Sequence, residues 1–243
     1  MGIFNKKDEQ SGLWTAGFGE IGASLSVLEK NGFTLDMLKQ LREKGGDTIA
    51  KKMVAIFTAD HYQIKANWYN FYKTYFGIDM DLSQVKIPVA KLGFTRPIII
   101  IPGVTPNLVV KKMKEQFNVW TYTDDLDKAV TKNDREAKDE PYAIWVKDGL
   151  EPEKDYRNVS ADGLAKKNIC GETLLERLIH GLEYWDKTKK HLDYKDITLC
   201  SGSRYSGGGV PSVYFYPDGV VVRVNWYLTD DSDGNLGARE VSF

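Results

Sequence analysis

The residues with types and spacing suited to a chemical role lie at the end of the chain, from Leu199 to Phe243. Tyr, Ser, Asn, Asp and Gly alternate there with positions typical of a packed frame. Tyrosine offers a large amphipathic contact area with few torsions to order, and Ser, Asn and Gly offer adaptable hydrogen bonds. This composition indicates a ligand-binding surface more than an active site. The polar positions of the run are Tyr205, Ser212, Tyr214, Tyr216, Asn225, Tyr227, Asp231, Asp233 and Asn235.

The spacing of the reactive residues does not predict a catalytic or metal-binding set. His180 and His191 lie on one predicted helix about three turns apart, too far to share a metal ion, and His61 is remote from both. Cys170 and Cys200 have no metal-ligand spacing and cannot form a disulfide framework. The sequence contains neither GxGxxG nor GxxxxGK[ST], so we predict no nucleotide site and no cofactor.

The acidic run from Asp230 to Asn235 has two interpretations. Its carboxylates are ligands that Ca²⁺ accepts, but the run lacks EF-hand spacing and has no Glu at the twelfth position. A solvated surface loop is the interpretation we adopt.

Composition limits the classes of partner. The chain has 243 residues and a formal net charge of -1, so no basic excess indicates nucleic acid. No apolar stretch is long enough to span a bilayer, and the first fourteen residues lack the apolar core of a signal peptide. We therefore expect a cytoplasmic protein with no membrane or nucleic-acid partner.

The first part of the chain, residues 1–95, is predicted to be helical. Thr34 is a candidate N-cap for a helix over 35–44, and further helices are predicted over 47–57 and 62–76. The last is rich in aromatic residues, which favours core packing or a subunit interface over base stacking, since few Lys or Arg residues lie between them. These helices are the candidate surface for homo-oligomerisation.

A boundary is predicted at residues 80–96, where helical periodicity is lost and prolines appear. The elements predicted after it are a strand at 98–101, a helix from the Thr105 cap and Pro106 to Phe117, a strand at 118–123, one or two helical turns at 124–130, a charged surface loop at 131–141, a strand at 142–146, a short helix capped by Ser160, a long helix over 172–191, and short strands with glycine-rich turns.

Three short segments of the tail form a recognisable pattern: Ser201-Gly202-Ser203-Arg204, Val224-Asn225-Trp226 and Asn235 to Arg239. In these residues the chain resembles the variable proteins of diversity-generating retroelements, which have a C-type lectin fold, and the resemblance covers about residues 142–243. In that family a reverse transcriptase randomises adenines in a copy of the 3′ end of the gene, so that Asn codons become Tyr, Asp, Ser or Gly. Phe215 stands where tails of the candidate-phyla type usually have Trp, and Gly237 replaces an Arg found in some of them.

The resemblance implies an α+β C-type lectin-like domain over 96–243, with a variable region at about 200–240. It implies a non-enzymatic protein that recognises another protein through a hypervariable surface. Trp226 would be a mostly buried frame residue, and Arg239 would make fixed hydrogen bonds to the backbone. Tyr214, Tyr216, Arg223 and Tyr227 would be the anchors, because Tyr and Arg are enriched at binding hot spots. The binding face would comprise Tyr205, Ser212, Tyr214, Tyr216, Arg223, Asn225, Tyr227, Leu228, Asp231 and Asp233.

Other interpretations stay open from the sequence. Tyrosine favours strands, so alternate tyrosines also suit an ordinary β-hairpin with no binding role. The chain also fits a non-catalytic scaffold that oligomerises through the aromatic helix at 62–76. A hydrolase is the third alternative, and it would need a deep pocket with convergent polar groups.

Overall fold

The computed structural model describes the backbone of residues 18–243, and it describes side chains except those of residues 18, 20 and 51–60. The expectation for the first fourteen residues therefore lies outside the described part. The helices are α1 Phe18–Lys30, α2 Leu35–Gln40, α3 Gly46–Phe76, α4 Pro106–Lys114, α5 Leu126–Ala129, α6 Ala161–Lys166 and α7 Leu174–Thr188. The strands are β1 Arg96–Ile100, β2 Val119–Thr121, β3 Val130–Asn133, β4 Tyr142–Val146, β5 Ile197–Leu199, β6 Ser203–Tyr205, β7 Val210–Tyr216, β8 Val221–Tyr227, β9 Leu236–Gly237 and β10 Val241–Ser242.

The chain forms two compact units, with their boundary between Asp60 and His61, inside α3. In the N-terminal unit, the Thr34 side chain accepts a hydrogen bond from the Met37 amide at the start of α2, which confirms the predicted cap. α2 buries none of its residues, and apolar side chains of α1 and α2 are exposed.

The predicted helices at 47–57 and 62–76 are in fact one helix, α3. The prediction of two helices was wrong because residues 58–61 contain neither glycine nor proline, so nothing in their sequence ends a helix. In the C-terminal unit the aromatic end of α3 packs in the core, where Trp68, Phe71 and Tyr72 are buried. The Tyr72 hydroxyl donates to the Ile99 carbonyl over 2.6 Å, which ties the helix to β1.

The elements predicted between residues 98 and 146 form, with one exception. α4 begins at Pro106, and its N-cap residue Thr105 accepts a hydrogen bond from the Leu108 amide. The exception is the charged loop predicted at 131–141. Residues 130–133 form β3, which pairs with β6, and Arg135 makes an ion pair with the buried Glu176 of α7 over 2.8 Å. The sequence did not predict β3, because its partner β6 lies about seventy residues later and no local pattern indicates the pairing.

The fold is mixed α+β, with N-terminal helices followed by mixed sheets and interspersed helices. The strand orders are β1-β4-β10, β2-β8-β7-β5-β9 and β3-β6. The pairs β2/β8 and β5/β9 are parallel, and the other ladders are antiparallel. The main apolar core includes one side of the five-stranded sheet, β1, β4, α4 and α7.

α7 is the central helix of this core, and its start is fixed by a capping box. Thr173 accepts from the Glu176 amide, and the Glu176 carboxylate accepts from the Thr173 amide. This reciprocal pair satisfies donors that would otherwise be unpaired at a buried helix start. The Ser160 cap of α6 is confirmed, and the helix predicted at 172–191 forms over the shorter range Leu174–Thr188, so His191 does not lie on it.

A buried ion cluster joins α7 to the C-terminal segment. Asp193 accepts from Arg177 over 2.7 Å, from Arg239 over 2.6 Å and from the Thr198 hydroxyl over 2.6 Å. Burial alone would raise the pKa of Asp193, but the charges of Arg239 and Arg177 outweigh it and hold the pKa below its usual value. Asp193 is therefore a buried anion between two buried cations.

Replacing Asp193 with Asn removes the anion and leaves two buried guanidiniums without their counter-charge. Asn also adopts the left-handed backbone of this position, where φ is 62°. We expect Asp193→Asn to lower the free energy of unfolding by about 3–5 kcal/mol, measured by denaturant titration. The matched control Asp155→Asn, at an exposed position, should change it by less than about 0.5 kcal/mol. Equal effects of the two substitutions would contradict the role given to Asp193.

Candidate binding face

The β7–β8 hairpin has one side in the core and one side turned away from it. Val213 pairs with Val224 and Phe215 with Val222, and these side chains lie in the main core. Because side chains alternate between the two sides of a strand, the residues between them share the opposite side. The pairs on that opposite side are Val210↔Tyr227, Ser212↔Asn225, Tyr214↔Arg223 and Tyr216↔Val221.

Part of that opposite side is covered. Ala161 of α6 packs with Ile197 and Leu199 of β5, Val210 of β7 and Leu236 of β9 in a second, smaller apolar cluster. The rings of Tyr214 and Tyr227 pack at the margin of this cluster and are half-buried. The cover extends over β5 and β9, so the sheet is open mainly over β7, β8 and β2.

β2 extends this open area on the far side of β8. The parallel register places Trp120 beside Arg223, and the Trp120 side chain is 47% exposed. The Arg223 guanidinium carbon lies 4.2 Å from the ring centroid of Tyr216 and 5.9 Å from that of Trp120. We call the following set the open sheet face: Trp120, Tyr214, Tyr216, Arg223, Asn225 and Tyr227.

Five of the ten predicted binding residues belong to this face and are brought together on two neighbouring strands. They are Tyr214, Tyr216, Arg223, Asn225 and Tyr227. Three others follow β8 in a loop, where Leu228 and Asp233 are exposed and Asp231 is half-buried. The Asp231 carboxylate accepts from the Leu228 amide over 2.7 Å, so this loop is shaped by its own hydrogen bonds.

The remaining two predicted residues are buried, which corrects the expectation that they are exposed. Tyr205 is 5% exposed, since β6 pairs with β3 and its ring packs edge-on to Tyr122 at 4.7 Å. Ser212 is fully buried between Leu199 and Asn225, on the part of the sheet that α6 covers.

The expected burial of Trp226 was also wrong. Its side chain is 43% exposed. Trp226 lies on the core side of β8, two residues after Val224. There its ring covers Gly209 and does not enter the core. A Cβ added at Gly209 would lie 2.8 Å from the Trp226 ring.

The expectation for Arg239 is confirmed. Its guanidinium donates to the carbonyls of Gly149 and Leu150 over 3.0 and 2.9 Å, besides its ion pair with Asp193.

Glu172 and His180 have displaced pKa values and lie inside the core, away from the open sheet face. Glu172 is hydrogen-bonded to His180 over 2.8 Å, and neither side chain is exposed. Burial raises the pKa of Glu172 to about 7. Burial, with the charges of Arg239 and Arg177, lowers the pKa of His180 well below its usual value. Both side chains are fully buried, so a substrate cannot reach either group.

The main cavities lined by described residues contain neither Glu172 nor His180. In residues 18–243 no cluster of three or more His, Cys, Asp and Glu side chains is suited to a metal. A cavity of about 340 Å³ beside α4 is lined by residues such as Lys111, Lys114 and Thr121 and does not contain Glu172 or His180. No helix in the same part of the chain is both long and apolar enough to cross a membrane.

Sequence reasoning missed Trp120. The local signal was limited to a short aromatic strand, residues 118–123, because no feature of that segment indicates that it pairs with β8 about a hundred residues later. In the sequence, the only hint was an aromatic residue in a short predicted strand.

Comparisons with protein-family models, with curated proteins and with solved structures found no match to this chain.

Tyr205 and Tyr216 provide a matched test of which tyrosines belong to the frame. Tyr205→Ser should lower the free energy of unfolding by about 3 kcal/mol, because it empties a buried aromatic position. Tyr216→Ser should cost less than about 1 kcal/mol, since only a half-exposed contact with Arg223 is lost. Denaturant titration of both variants measures the difference. A larger loss for Tyr216→Ser would contradict this assignment.

Proposed function

We propose that this chain is a non-catalytic recognition protein that binds another protein through the open sheet face. The observation that carries the proposal is a group of half-exposed tyrosine and arginine side chains, together with the exposed Trp120, on three neighbouring strands whose other side packs in the core. Tyr, Trp and Arg dominate binding energy at protein interfaces. A broad sheet surface suits a protein ligand better than a small molecule, which prefers an enclosed pocket.

We also propose that the frame is C-type lectin-like and that the face is diversified by a retroelement. Most residues of the resemblance have structural roles that support this reading. Arg239 joins the buried ion cluster, and the Ser203 hydroxyl accepts from the Leu174 amide at the start of α7. Gly202 leaves no room for a side chain, because an added Cβ would lie 2.8 Å from the Gly171 carbonyl oxygen. Residues with such contacts cannot vary freely, whereas those on the open sheet face can.

The DNA beside the gene tests the diversification directly. We expect a near-copy of the 3′ end whose mismatches fall at adenines, next to a reverse-transcriptase gene. A copy with mismatches spread over all four bases would remove the retroelement from the proposal.

A pair of displayed libraries tests whether the face varies independently of the frame. The first randomises Tyr214, Tyr216, Arg223, Asn225 and Tyr227. We expect most of its members to stay folded, because these side chains lie outside the main core and only Tyr214 and Tyr227 touch the margin of the smaller cluster. Resistance to protease on the yeast surface measures the folded fraction, and selection against a chosen test protein should yield binders.

The control library randomises the core side of the same strands. Its positions are Val213, Phe215, Val222 and Val224. Most members should unfold, since each large-to-small change in a core costs about 2–5 kcal/mol. Equal folded fractions in the two libraries would contradict the division between frame and face.

A scaffold that self-associates through its N-terminal helices is a second candidate function. Ile21, Leu25 and Leu28 lie on one side of α1 and are 36–39% exposed, and Leu35 of α2 is 66% exposed. A cavity between α1 and α2 is lined by apolar side chains that include Leu25, Phe33 and Leu38. Of the aromatic residues of α3, Trp68, Phe71 and Tyr72 are in the core of the other unit and are not available for this role, whereas Tyr62 is 77% exposed.

For this second function, the full chain should sediment as an oligomer and Leu25→Asp should sediment as a monomer. A charge on the apolar side of α1 would be costly to bury in a contact between copies. Ser26→Asp adds the same charge at a neighbouring exposed position and should leave the oligomer intact. A monomeric wild-type chain in sedimentation velocity would contradict the scaffold.

A further inference from the structure

Arg223 differs from the other arginines of the C-terminal unit in having no oxygen partner. The unit contains seven arginines, at positions 96, 135, 157, 177, 204, 223 and 239. All but Arg223 donate hydrogen bonds to carboxylates or backbone carbonyls. Within the described residues, the contacts of the Arg223 guanidinium are with two rings, those of Tyr216 and Trp120.

The two rings position this guanidinium without using its hydrogen-bonding capacity. A ring in a cation–π contact attracts the charge of the guanidinium but offers its N–H groups no oxygen acceptor. The N–H groups of Arg223 therefore have no oxygen partner among the described residues, and a guanidinium edge matches the two oxygens of a carboxylate. Neighbouring strands fix the arrangement, because Trp120 lies beside Arg223 in the parallel β2/β8 ladder and Tyr214 lies opposite it on β7.

Arg223 is the one cation among the six residues of the open sheet face. At the other end of the face, burial raises the pKa of Tyr227, and Tyr214 and the carboxylates of Asp233 and Asp231 add to the rise. A nucleic acid would need a row of cations along its phosphates, and this face does not provide one. A single acidic side chain carried by a protein fits the pattern.

We propose that the partner presents an Asp or Glu side chain to the Arg223 guanidinium, beside the rings of Trp120 and Tyr216. This inference rests on the proposed recognition function and specifies its ligand. Trp120 and Tyr216 are positioning residues for Arg223, and they also give apolar contact around the carboxylate. Excluding water around a charged pair makes such contacts stronger than they are in open solvent.

The probe for the test is a displayed library of random peptides, selected on the purified full chain. Selected peptides should be enriched in Asp or Glu at one position. Arg223→Gln should weaken their binding by about 10- to 100-fold, as should the change of the peptide's acidic residue to its amide. Combining the two changes should cost little more than either alone, since both remove the same contact.

Two control variants complete the design. Lys128→Gln makes the same change of net charge at a residue that is 88% exposed on α5 and should leave the affinity unaltered. Arg223→Lys keeps the charge but loses the planar donor edge, so it should give an intermediate loss. Thermal unfolding of each variant checks that the fold is retained.

Failure of this proposal is distinguishable from failure of the recognition function. Peptides that lose binding on Trp120→Ala but tolerate Arg223→Gln would overturn the carboxylate contact and leave the face as a binding site. Peptides indifferent to both substitutions, or no selected peptides, would overturn both proposals. Tight binding of single-stranded oligo(dT), lost on Arg223→Gln, would also overturn the carboxylate contact and assign the face to nucleic acid.

Discussion

The contact on which the rest of the C-terminal unit depends is the buried cluster of Arg177, Asp193 and Arg239. It joins α7, the segment before β5 and the C-terminal segment, while Arg239 also holds the carbonyls of Gly149 and Leu150. Buried charges are costly unless all are paired. Moving any one of these segments would leave a charge unpaired, and we infer that the cluster fixes a single arrangement of the elements beneath the five-stranded sheet.

Because the elements beneath the sheet are fixed, the residues on its two sides are under different structural constraints. Val213, Phe215, Val222 and Val224 must fill the core, so their volume and shape are constrained. On the opposite side of the same strands, Tyr216, Arg223 and Asn225 are half-exposed and lie outside both apolar clusters, so their shape is less constrained. The alternation of a β-strand thus places stability and recognition on different side chains, which lets one change with little effect on the other.

Local features of the sequence predicted the elements well and their pairing poorly. Thr105 with Pro106, Ser160 and the apolar stripe of α7 are signals that neighbouring residues contain, and the corresponding helices form. The burial of Tyr205 depends on the β3/β6 ladder, and the position of Trp120 depends on the β2/β8 ladder. These contacts join segments far apart in the chain. The site was therefore predictable along β7 and β8, and its β2 edge was not.

The errors at Ser212 and Trp226 show why alternation alone does not define the binding surface. Ser212 lies on the same outward side of β7 as Tyr214 and Tyr216, yet it is buried because α6 covers that part of the sheet. Trp226 lies on the same inward side of β8 as Val224, yet it is exposed because β8 extends beyond the core there. Whether a side chain is exposed therefore depends on the side of the strand it occupies and on what packs over it. Around Arg223 the side chains face outward and the cover of α6 does not reach, so this part of the sheet, where β2 borders β8, stays open.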